Sequence, residues 1–345
     1  MINQKIALTA TFITMMLSPA MAQQTEQSPA TPQAKVLNGE NASGYADNLQ
    51  PWQAAILTAD RYISGCGASV IADTWLVTAA HCVDPLLSDT VIAGTSYILQ
   101  GATADIDNQY RFNVIKKIRH PDYTGHYDPS SLDHDIALLE VDRSLLNVAT
   151  PIKIATTAEQ AMADNHFANS WTPDAYSEPN LIASGWGDTT KTDLPPNELQ
   201  VVELSGIPDS LCNTPYQVKD ETHFVCADSN DPALKKDVCA GDSGGPLIWQ
   251  NPTHISDSDK GQRLVGVTSN GPNCDMKNSG VSGAQFNGLY TQVSTYLSWI
   301  ETELSSQTKA SARTGSSGGS VPPLAVLSLA AVGLFRRKNS TISSS

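Results

Sequence analysis

The sequence predicts an all-β fold that ends in one helix, and three observations favour it. Short apolar or alternating runs, typical of strands, are separated by clusters of Gly, Pro, Asn and Asp, which form turns. Helical periodicity is almost absent until the end of the folded part. The 345 residues suit a single all-β body of about 200 to 250 residues with additional segments at both ends.

Six runs show the strand pattern most clearly. They are residues 54–57, 75–78, 136–141, 181–184, 247–249 and 264–268. The terminal helix is predicted over residues 293–304, where Val293, Tyr296, Leu297 and Ile300 fall on one helical face. A helix packed on a β body is therefore the expected end of the fold.

The N-terminal segment, residues 1–22, has the pattern of a secretory signal peptide. Lys5 precedes an apolar stretch at residues 6–17, and Ala-Met-Ala at residues 20–22 matches the small-x-small pattern that signal peptidase cleaves. The alternative is a membrane anchor, but about a dozen apolar residues is short of the roughly 20 that span a bilayer. We expect export and a mature chain that begins near Gln23.

Residues 23–35 are predicted to be a propeptide. They are polar and rich in Pro and Gln, with almost nothing that could build a core. The segment ends at Lys35, and Val36 follows; strand-like runs occur only beyond this point. The folded body is therefore expected to span residues 36–305.

Composition excludes one class of function. Charged residues make up 16% of the chain and the net charge is −14, so the sequence has no basic stripe for a phosphate backbone. We expect no nucleic-acid partner. An acidic surface keeps a protein soluble and favours basic substrates by electrostatic steering.

Cysteine usage agrees with export. The six cysteines all lie in the predicted folded body, and an even number in an exported chain indicates disulfides. Six cysteines allow many pairings, so their spacing alone leaves the connectivity open. The chain has no CxxC pair, which disfavours a zinc ribbon.

Three motifs carry the chemistry. They are Asp-Val-Cys-Ala-Gly-Asp-Ser-Gly-Gly-Pro at residues 237–246, Leu-Val-Thr-Ala-Ala-His-Cys at 76–82, and Asp-Ile-Ala-Leu-Leu at 135–139. They resemble the serine, histidine and aspartate motifs of the chymotrypsin and trypsin family of serine proteases. Their order along the chain is that of this family, whereas subtilisins and α/β-hydrolases order the three groups differently. The resemblance covers nearly all of residues 36–304.

The resemblance implies a fold and a reaction. The fold would be two six-stranded antiparallel β-barrels with a C-terminal helix, and the catalytic residues would be His81, Asp135 and Ser243. A serine hydroxyl is a poor nucleophile until a neighbouring base removes its proton, and imidazole is neutral at working pH and suits that role. The implied protein is a secreted serine endopeptidase.

The oxyanion hole would be formed by the backbone N–H groups of Gly241 and Ser243, again by resemblance. Glycine at position 241 lets the backbone turn and approach the substrate closely. The alternative for Gly241 is an ordinary turn glycine.

Substrate preference is expected to depend on Asp237, six residues before Ser243, where trypsin-like members carry the acidic floor of the primary pocket. A carboxylate in a narrow slot favours Lys or Arg before the cut bond. Gly271 and Gly288 match the positions that keep the pocket open. A solvated loop carboxylate is the alternative for Asp237.

Two features near this pocket depart from the family pattern. Asn270 stands where many relatives have Trp, so one wall of the substrate site is expected to be more polar. The chain between Cys274 and Gly288 is also longer than usual, which would reshape the rim of the pocket.

The resemblance also implies the disulfides and an activation step. The disulfides would pair Cys66 with Cys82, Cys212 with Cys226, and Cys239 with Cys274. Lys35-Val36 resembles the site where cleavage frees a branched N-terminal residue in this family. The new amine of Val36 would pair with Asp242 and order the loop that holds the nucleophile.

The C-terminal end differs from that of ordinary secreted trypsins. Residues 306–320, rich in Ser, Gly and Thr, are predicted to be a flexible linker, and an apolar run at 321–335 precedes basic residues 336–338. Gly318-Gly319-Ser320 stands directly before the apolar run. Together with this motif, the end of the chain at 321–345 resembles the Gly-Gly sorting tails of Gram-negative exoproteins. The resemblance implies a rhomboid-like protease and a secretion system as partners, and release or retention at the cell surface. A permanent membrane anchor is the alternative.

Two rival functions have less support. A pseudo-protease would lack a catalytic residue, but His81, Asp135 and Ser243 are all present. A serine esterase would use the same triad, but the order of the motifs and the Asp237 pocket favour peptide substrates.

No cofactor and no metal are expected. The sequence lacks HExxH, and its histidines are scattered. His120, His126 and His134 are interpreted as loop residues. Asp105 and Asp107 match a calcium-binding loop only poorly.

Overall fold

The computed structural model of the chain describes residues 37–44, 50–59, 63–83, 87–101, 106–125, 133–188, 195–213, 221–271, 274 and 287–314. The predicted signal peptide, the propeptide and residues 315–345 of the tail lie outside the described residues. Val36, His126 and Asp105 lie outside them as well.

Two closed antiparallel barrels make up the described body. A short strand, β1 (Glu40–Asn41), belongs to the second barrel, and the first barrel closes in the order β2-β3-β4-β7-β6-β5. Its strands are β2 (Gln53–Thr58), β3 (Ser64–Val70), β4 (Trp75–Thr78), β5 (Leu87–Ala93), β6 (Arg111–Arg119) and β7 (Ala137–Val141).

The second barrel follows in the chain and has six strands of its own. In spatial order β9-β10-β13-β12-β11-β8, a pairing between the last and the first closes the ring, while β1 pairs with the first two residues of β9. The strands are β8 (Leu181–Gly185), β9 (Gln200–Ile207), β10 (Phe224–Ser229), β11 (Pro246–Gln250), β12 (Gln262–Asn270) and β13 (Gly288–Gln292).

The predicted fold class is confirmed. Each of the six predicted runs lies in or overlaps a strand, and the run at 75–78 coincides with β4. The inward faces of the strands supply the cores. Val77, Leu138 and Phe112 are fully buried in the first barrel, while Leu247 and Tyr290 are fully buried in the second.

A helix that the periodicity did not predict lies between the barrels in sequence. This helix, α1 (Thr157–Ser170), buries only Gln160, Ala163 and Phe167, so its apolar face is too weak to show as a periodic pattern. Its start is fixed by a capping box, in which the Thr156 hydroxyl accepts from the Glu159 amide at 3.2 Å and the Glu159 carboxylate accepts from the Thr156 amide at 3.0 Å. The Thr-x-x-Glu signature was the available sequence signal.

The predicted terminal helix is present but longer than expected. A 3-10 turn, Val293–Tyr296, leads into α2 (Leu297–Thr314), and Tyr296 and Ile300 are buried in the same apolar cluster as the core of the first barrel. The helix therefore takes in residues 306–314, which the composition assigned to the linker. Gln, Lys, Ala and Arg in that stretch favour helix, which explains the difference. Within the described ranges, no helix is both long and apolar enough to cross a membrane.

The two barrels meet along a polar seam that positions the site. The Ser184 hydroxyl donates to the Gln53 side chain at 2.8 Å, which ties β8 to β2. The Gly67 amide of β3 donates to the Ser243 carbonyl at 2.7 Å. The loop that carries Ser243 is therefore held against the first barrel by the backbone itself.

Candidate active site

His81 is positioned by the end of a buried strand and by a disulfide. β4 ends at Thr78, whose hydroxyl donates to the Gly67 carbonyl at 2.8 Å, and the chain turns through a 3-10 helix that contains His81. The next residue, Cys82, is bonded to Cys66 on β3. The imidazole is partly exposed, so a substrate can reach it while its backbone stays fixed.

Asp135 lies behind His81 and is almost completely buried. Its Oδ1 accepts from the His81 amide at 2.9 Å, and its Oδ2 lies 2.8 Å from His81 Nδ1. The Ser269 hydroxyl donates to the same Oδ2 at 2.6 Å, and the Thr291 hydroxyl donates to the Asp135 carbonyl at 2.9 Å. The residue is thus held by donors from both barrels, and its carboxylate fixes the orientation of the ring.

This contact changes the pKa of His81. Burial lowers the pKa, but the negative charge of Asp135 and its hydrogen bond to the ring together raise it by more, so that the pKa of His81 lies above its ordinary value. The ring is therefore a stronger base than a free imidazole.

Ser243 stands between two buried residues in the loop before β11. Asp242 and Gly244 are buried on either side, while Ser243 is partly exposed. The Gly244 amide donates to the Thr268 carbonyl at 2.7 Å, and the Ser243 carbonyl accepts from the Gly67 amide. The backbone on which the hydroxyl stands is therefore pinned by hydrogen bonds.

Gly241 adopts a backbone conformation that requires glycine. Its φ is +97°, a region that residues with a side chain rarely enter. A Cβ at this position would also meet the Gly187 Cα at 3.0 Å. The predicted turn at Gly241 is present in the structure, and the residues proposed to donate to the oxyanion, 241 and 243, lie on either side of Asp242.

Asp242 is a fully buried carboxylate beneath this loop. Its Oδ1 accepts from the Gly187 amide at 2.7 Å and its Oδ2 from the Cys239 amide at 2.8 Å. Burial, together with the nearby Asp237 and Asp188 carboxylates, raises the pKa of Asp242 to about 7 despite these two hydrogen bonds. Two neutral amides thus do not compensate the charge, and the site favours a cation.

The start of the described chain lies close to this loop. Leu37 is buried, and its carbonyl accepts from the Asp237 amide at 3.3 Å in an antiparallel bridge. Val36 precedes it and lies outside the described residues. The chain therefore enters the second barrel next to the loop that holds Asp237 and Asp242.

Asp237 is buried, with only 1% of its surface exposed, which rules out the solvated loop carboxylate considered from the sequence. Its Oδ1 accepts from the Val238 amide at 2.8 Å. The Tyr290 hydroxyl lies in the same region, where burial and then the Asp237 charge raise the pKa of Tyr290 well above its ordinary value.

Gly271 and Gly288, the two glycines predicted to keep the pocket open, lie close together. A Cβ on Gly271 would lie 3.4 Å from the Gly288 Cα, and a Cβ on Gly288 would lie 3.1 Å from the Tyr290 ring. A side chain at Gly271 would therefore crowd Gly288, whereas one at Gly288 would crowd Tyr290. Asn270, at the departure from the family pattern, turns its Oδ1 back to accept from the Gly271 amide at 2.7 Å.

The structure contains the three disulfides that the resemblance implied. Cys66 bonds to Cys82 and Cys212 to Cys226, and Cys239 bonds to Cys274 with the Cα atoms 5.7 Å apart. The last bond joins the segment of Asp237 to the segment that follows Gly271. It therefore braces the two sides of the slot.

Ser269 is a site residue that the sequence reasoning missed. It lies in the strand pattern of β12, and nothing in that pattern signals a contact with Asp135, which is 134 residues away. Such a contact arises only when the two barrels close against each other. Asp107, by contrast, caps a short 3-10 helix by accepting from the Gln109 amide at 3.0 Å.

Two barrels, with a histidine and an aspartate from one and a serine loop from the other, define a class of protein, the trypsin-like serine endopeptidases. The chain belongs to the trypsin family, because the family model described as Trypsin matches residues 38–300. It is similar to Coagulation factor IX of Cavia porcellus, with 30% identity over 267 residues that cover 77% of this chain and 80% of the relative. The enzyme class is thereby established.

Proposed function

We propose that this enzyme is a secreted endopeptidase that cuts peptide bonds after Arg or Lys, with Ser243 as nucleophile, His81 as base and Asp135 as its orienting partner. The observation that carries the preference is the buried Asp237 carboxylate together with the facing glycines Gly271 and Gly288. The family membership supports the reaction.

The reaction follows from the hydrogen bonds around His81. The ring takes the proton of the Ser243 hydroxyl as its oxygen attacks the substrate carbonyl, and it gives that proton to the leaving amine as the C–N bond breaks. Water then attacks the acyl-enzyme by the same route and releases the acid. Asp135 holds the ring through Nδ1 at 2.8 Å and stabilises the imidazolium that forms.

The loop at Gly241 supports the developing charge. The amides of Gly241 and Ser243 are proposed to donate to the oxyanion of the tetrahedral intermediate. The positive φ of Gly241 supports this role, since it turns that amide out of the path of a regular strand. Loss of one such donor costs about 2.7 to 4 kcal/mol of transition-state stabilisation.

The preference for a cationic side chain has a simple electrostatic basis. An apolar side chain in the slot would bury the Asp237 carboxylate further without adding a partner, whereas guanidinium or ammonium donates charged hydrogen bonds to it. Val238 and Ala240 nearby in the chain carry no charge of their own. The slot is therefore matched to Arg or Lys.

Activation is proposed to depend on cleavage after Lys35. The new ammonium of Val36 would insert next to Leu37 and pair with Asp242, which is buried and has a pKa raised to about 7. An ammonium would supply the charge that the two amides do not. Lys35 fits the enzyme's own proposed preference, so self-activation and activation by another protease are both open routes.

Export and tail processing complete the proposal. The signal-peptide pattern at residues 1–22 and the three disulfides support passage to an oxidising compartment. The segments are proposed as signal 1–22, propeptide 23–35, peptidase 36–305, linker 306–320 and tail 321–345. The end of α2 at Thr314 moves the start of any flexible linker to about residue 315. A rhomboid-like protease of a Gram-negative host would remove the tail near Gly319.

The preference is tested with fluorogenic peptides that vary only the residue before the cut bond. Protein cleaved after Lys35 should turn over the Arg and Lys peptides alone, and Ser243→Ala should abolish turnover. Asp237→Asn should lower kcat/KM for these peptides by roughly 30- to 5000-fold, because truncating a buried charge pair costs about 2 to 5 kcal/mol. Turnover after apolar residues by the parent enzyme would discard the role of Asp237.

Activation is tested by Lys35→Gln, which removes the basic residue before the proposed cleavage site. The variant should be secreted as a full-length, folded and nearly inactive precursor. Gln33→Ala, two residues earlier in the propeptide, is the matched control and should activate normally because it leaves the cleavage site intact. Substantial activity from the uncut Lys35→Gln protein would contradict the activation proposal.

The tail is tested by mass spectrometry of the exported protein. An end near Gly319 supports processing. An exported chain that still ends beyond Lys338 would reject it and would favour the permanent anchor.

A further inference from the structure

Three imidazoles that lie far apart in sequence gather behind Asp135. His120 follows β6, His134 directly precedes Asp135, and His223 ends the short helix before β10. The rings of His120 and His134 are stacked with centroids 4.9 Å apart, and the His223 ring lies 4.7 Å from that of His134. None of these rings has a role in the proposed peptidase mechanism.

One carboxylate joins this cluster. His120, Asp122 and His134 each offer a ligand atom, and these atoms all lie within 4.8 Å of one another. The Asp122 side chain is 70% exposed, whereas that of His120 is 12% exposed. A cation from solvent would therefore meet the carboxylate first and the two half-buried imidazoles behind it.

Packed aromatic side chains surround the rings of His120 and His134 and hold them in place. Tyr296 and Trp299 pack edge-on against the His120 ring, at centroid distances of 5.1 and 4.9 Å. The Tyr296 hydroxyl lies 3.3 Å from His134 Nδ1. His134 itself has a φ of +63°, a conformation that costs free energy for a residue with a side chain. Fixed rings with apolar walls lose little entropy when they bind a ligand.

We propose that His120, Asp122 and His134 bind a divalent transition cation of the Zn²⁺ type, and that the bound cation lowers the peptidase activity. Two imidazoles and a carboxylate suit Zn²⁺, Cu²⁺ or Ni²⁺ far better than Ca²⁺ or Mg²⁺, which prefer oxygen ligands. The remaining coordination position is left to water or to His223. The sequence pattern does not reveal this cluster, because only the fold brings His134 next to His120 and Asp122.

The second group of this kind among the described residues is not a rival site. It consists of Cys66, His81 and Cys82, and both of its cysteines are consumed by their disulfide. A cation could still bind at the triad itself, between His81 and Asp135. The experiment must therefore distinguish binding there from binding at the cluster of His120, Asp122 and His134.

The backbone on either side of Asp135 connects the proposed cation site to the catalytic residues. The His134 carbonyl accepts from the Ile136 amide at 2.7 Å, and the His120 amide donates to the Ile136 carbonyl at 3.0 Å. Bonds of about 2.0 to 2.2 Å to the cation would draw the ligand atoms together and shift the segment on either side of Asp135. A misplacement of about 1 Å near the reacting groups can cost roughly 10²-fold in rate.

Binding is tested apart from activity, on metal-free Ser243→Ala protein. Calorimetry with Zn²⁺ should give one site per chain, and Co²⁺ should produce the visible spectrum of a tetrahedral complex. His134→Asn, in which Asn tolerates the positive φ, and His120→Gln should each weaken binding at least about 10-fold, the loss typical for removal of a group that supports a metal site. Asp122→Asn, at an exposed position, provides a third variant that is safe for folding.

Two controls decide the location. His254→Gln removes an exposed histidine that also contacts a carboxylate, Asp257 at 3.0 Å, and should leave the affinity unchanged. His81→Ala should also leave it unchanged. Unaltered binding in His120→Gln and Asp122→Asn, or loss of binding in His81→Ala, would overturn the site.

The effect on activity rests on the proposed function and has its own readout. Activated enzyme should lose most of its kcat on saturation with Zn²⁺, while His120→Gln and Asp122→Asn keep most of their own metal-free rate. Tight binding with unchanged kcat would overturn the coupling. No turnover under any condition would reject the proposed function and leave the calorimetric result standing.

Discussion

Two buried carboxylates, one beside each half of the site, are treated differently by the fold. Asp135 accepts hydrogen bonds from the His81 ring, the His81 amide and the Ser269 hydroxyl. Asp242 accepts only amides in the described structure, from Gly187 and Cys239, and its pKa is raised to about 7. The first has a partner that can carry positive charge, and the second has none among these donors.

The different surroundings of Asp135 and Asp242 suggest that folding completes one half of the site and that the proposed activation step completes the other. The half of the site with the proposed base is complete once the barrels pack, because strand ends and a disulfide hold His81 and Asp135 in place. The loop of Gly241 and Ser243 surrounds a charge that folding alone leaves costly. A cation delivered by the proposed cleavage after Lys35 would therefore be an efficient switch, since it would act on the half of the site that carries the unfavourable charge.

The largest expected effect on activity comes from removing the charge of the first carboxylate, Asp135. Asp135→Asn should keep the fold but lower kcat by about 10⁴-fold, the loss that this change causes in this family, because the amide favours the wrong tautomer of His81. Steady-state kinetics on the activated enzyme measures it. Asp142→Asn, just beyond the other end of β7, is the matched control and should stay within a few-fold of the parent rate. A loss of less than about 10-fold in Asp135→Asn would contradict the role.

Removing the charge of the second carboxylate, Asp242, should lower activity less. The effect should arise through the loop of Gly241 and Ser243. Asp242→Asn removes the charge that is proposed to pair with the Val36 ammonium, and loss of a buried pair costs about 3 to 5 kcal/mol, or roughly 150- to 5000-fold in kcat/KM. The variant should be equally inactive before and after cleavage behind Lys35. Asp164→Asn is the control, because burial also raises the pKa of Asp164 but on α1, away from the site. Normal activation of Asp242→Asn would reject the switch.

Ser269→Ala sharpens the comparison by removing one donor to Asp135. A hydrogen bond to a charged group contributes about 1.5 to 3 kcal/mol, so kcat should fall roughly 10- to 150-fold with little change in KM. Ser184→Ala removes a different buried hydrogen bond between the barrels, 2.8 Å to Gln53, and should lower stability without this loss of kcat. Equal kcat in the two variants would show that Ser269 only helps to hold the barrels together.

Sequence reasoning predicted the strands and both barrels because turn residues and family motifs are local signals. It missed α1, whose buried face has one large apolar residue, Phe167, and whose start is a cap of two side chains. It also missed Ser269 and the grouping of His120 with His134. These contacts join residues that lie far apart in the chain, and only the folded barrels bring them together.

The smallest expected effect is a shift of the acid limb of the pH profile. His81 must be neutral to accept a proton, and Asp135 raises its pKa, so kcat/KM should fall on acidification with a midpoint above the ordinary value of about 6.5. In Asp135→Asn the raising charge is gone and burial alone acts, so the midpoint of the residual activity should move below that value. Profiles of both proteins with one Arg peptide measure the shift. Equal midpoints would mean that Asp135 does not raise the pKa of His81. The two buried carboxylates, Asp135 and Asp242, would then differ less than their hydrogen bonds indicate.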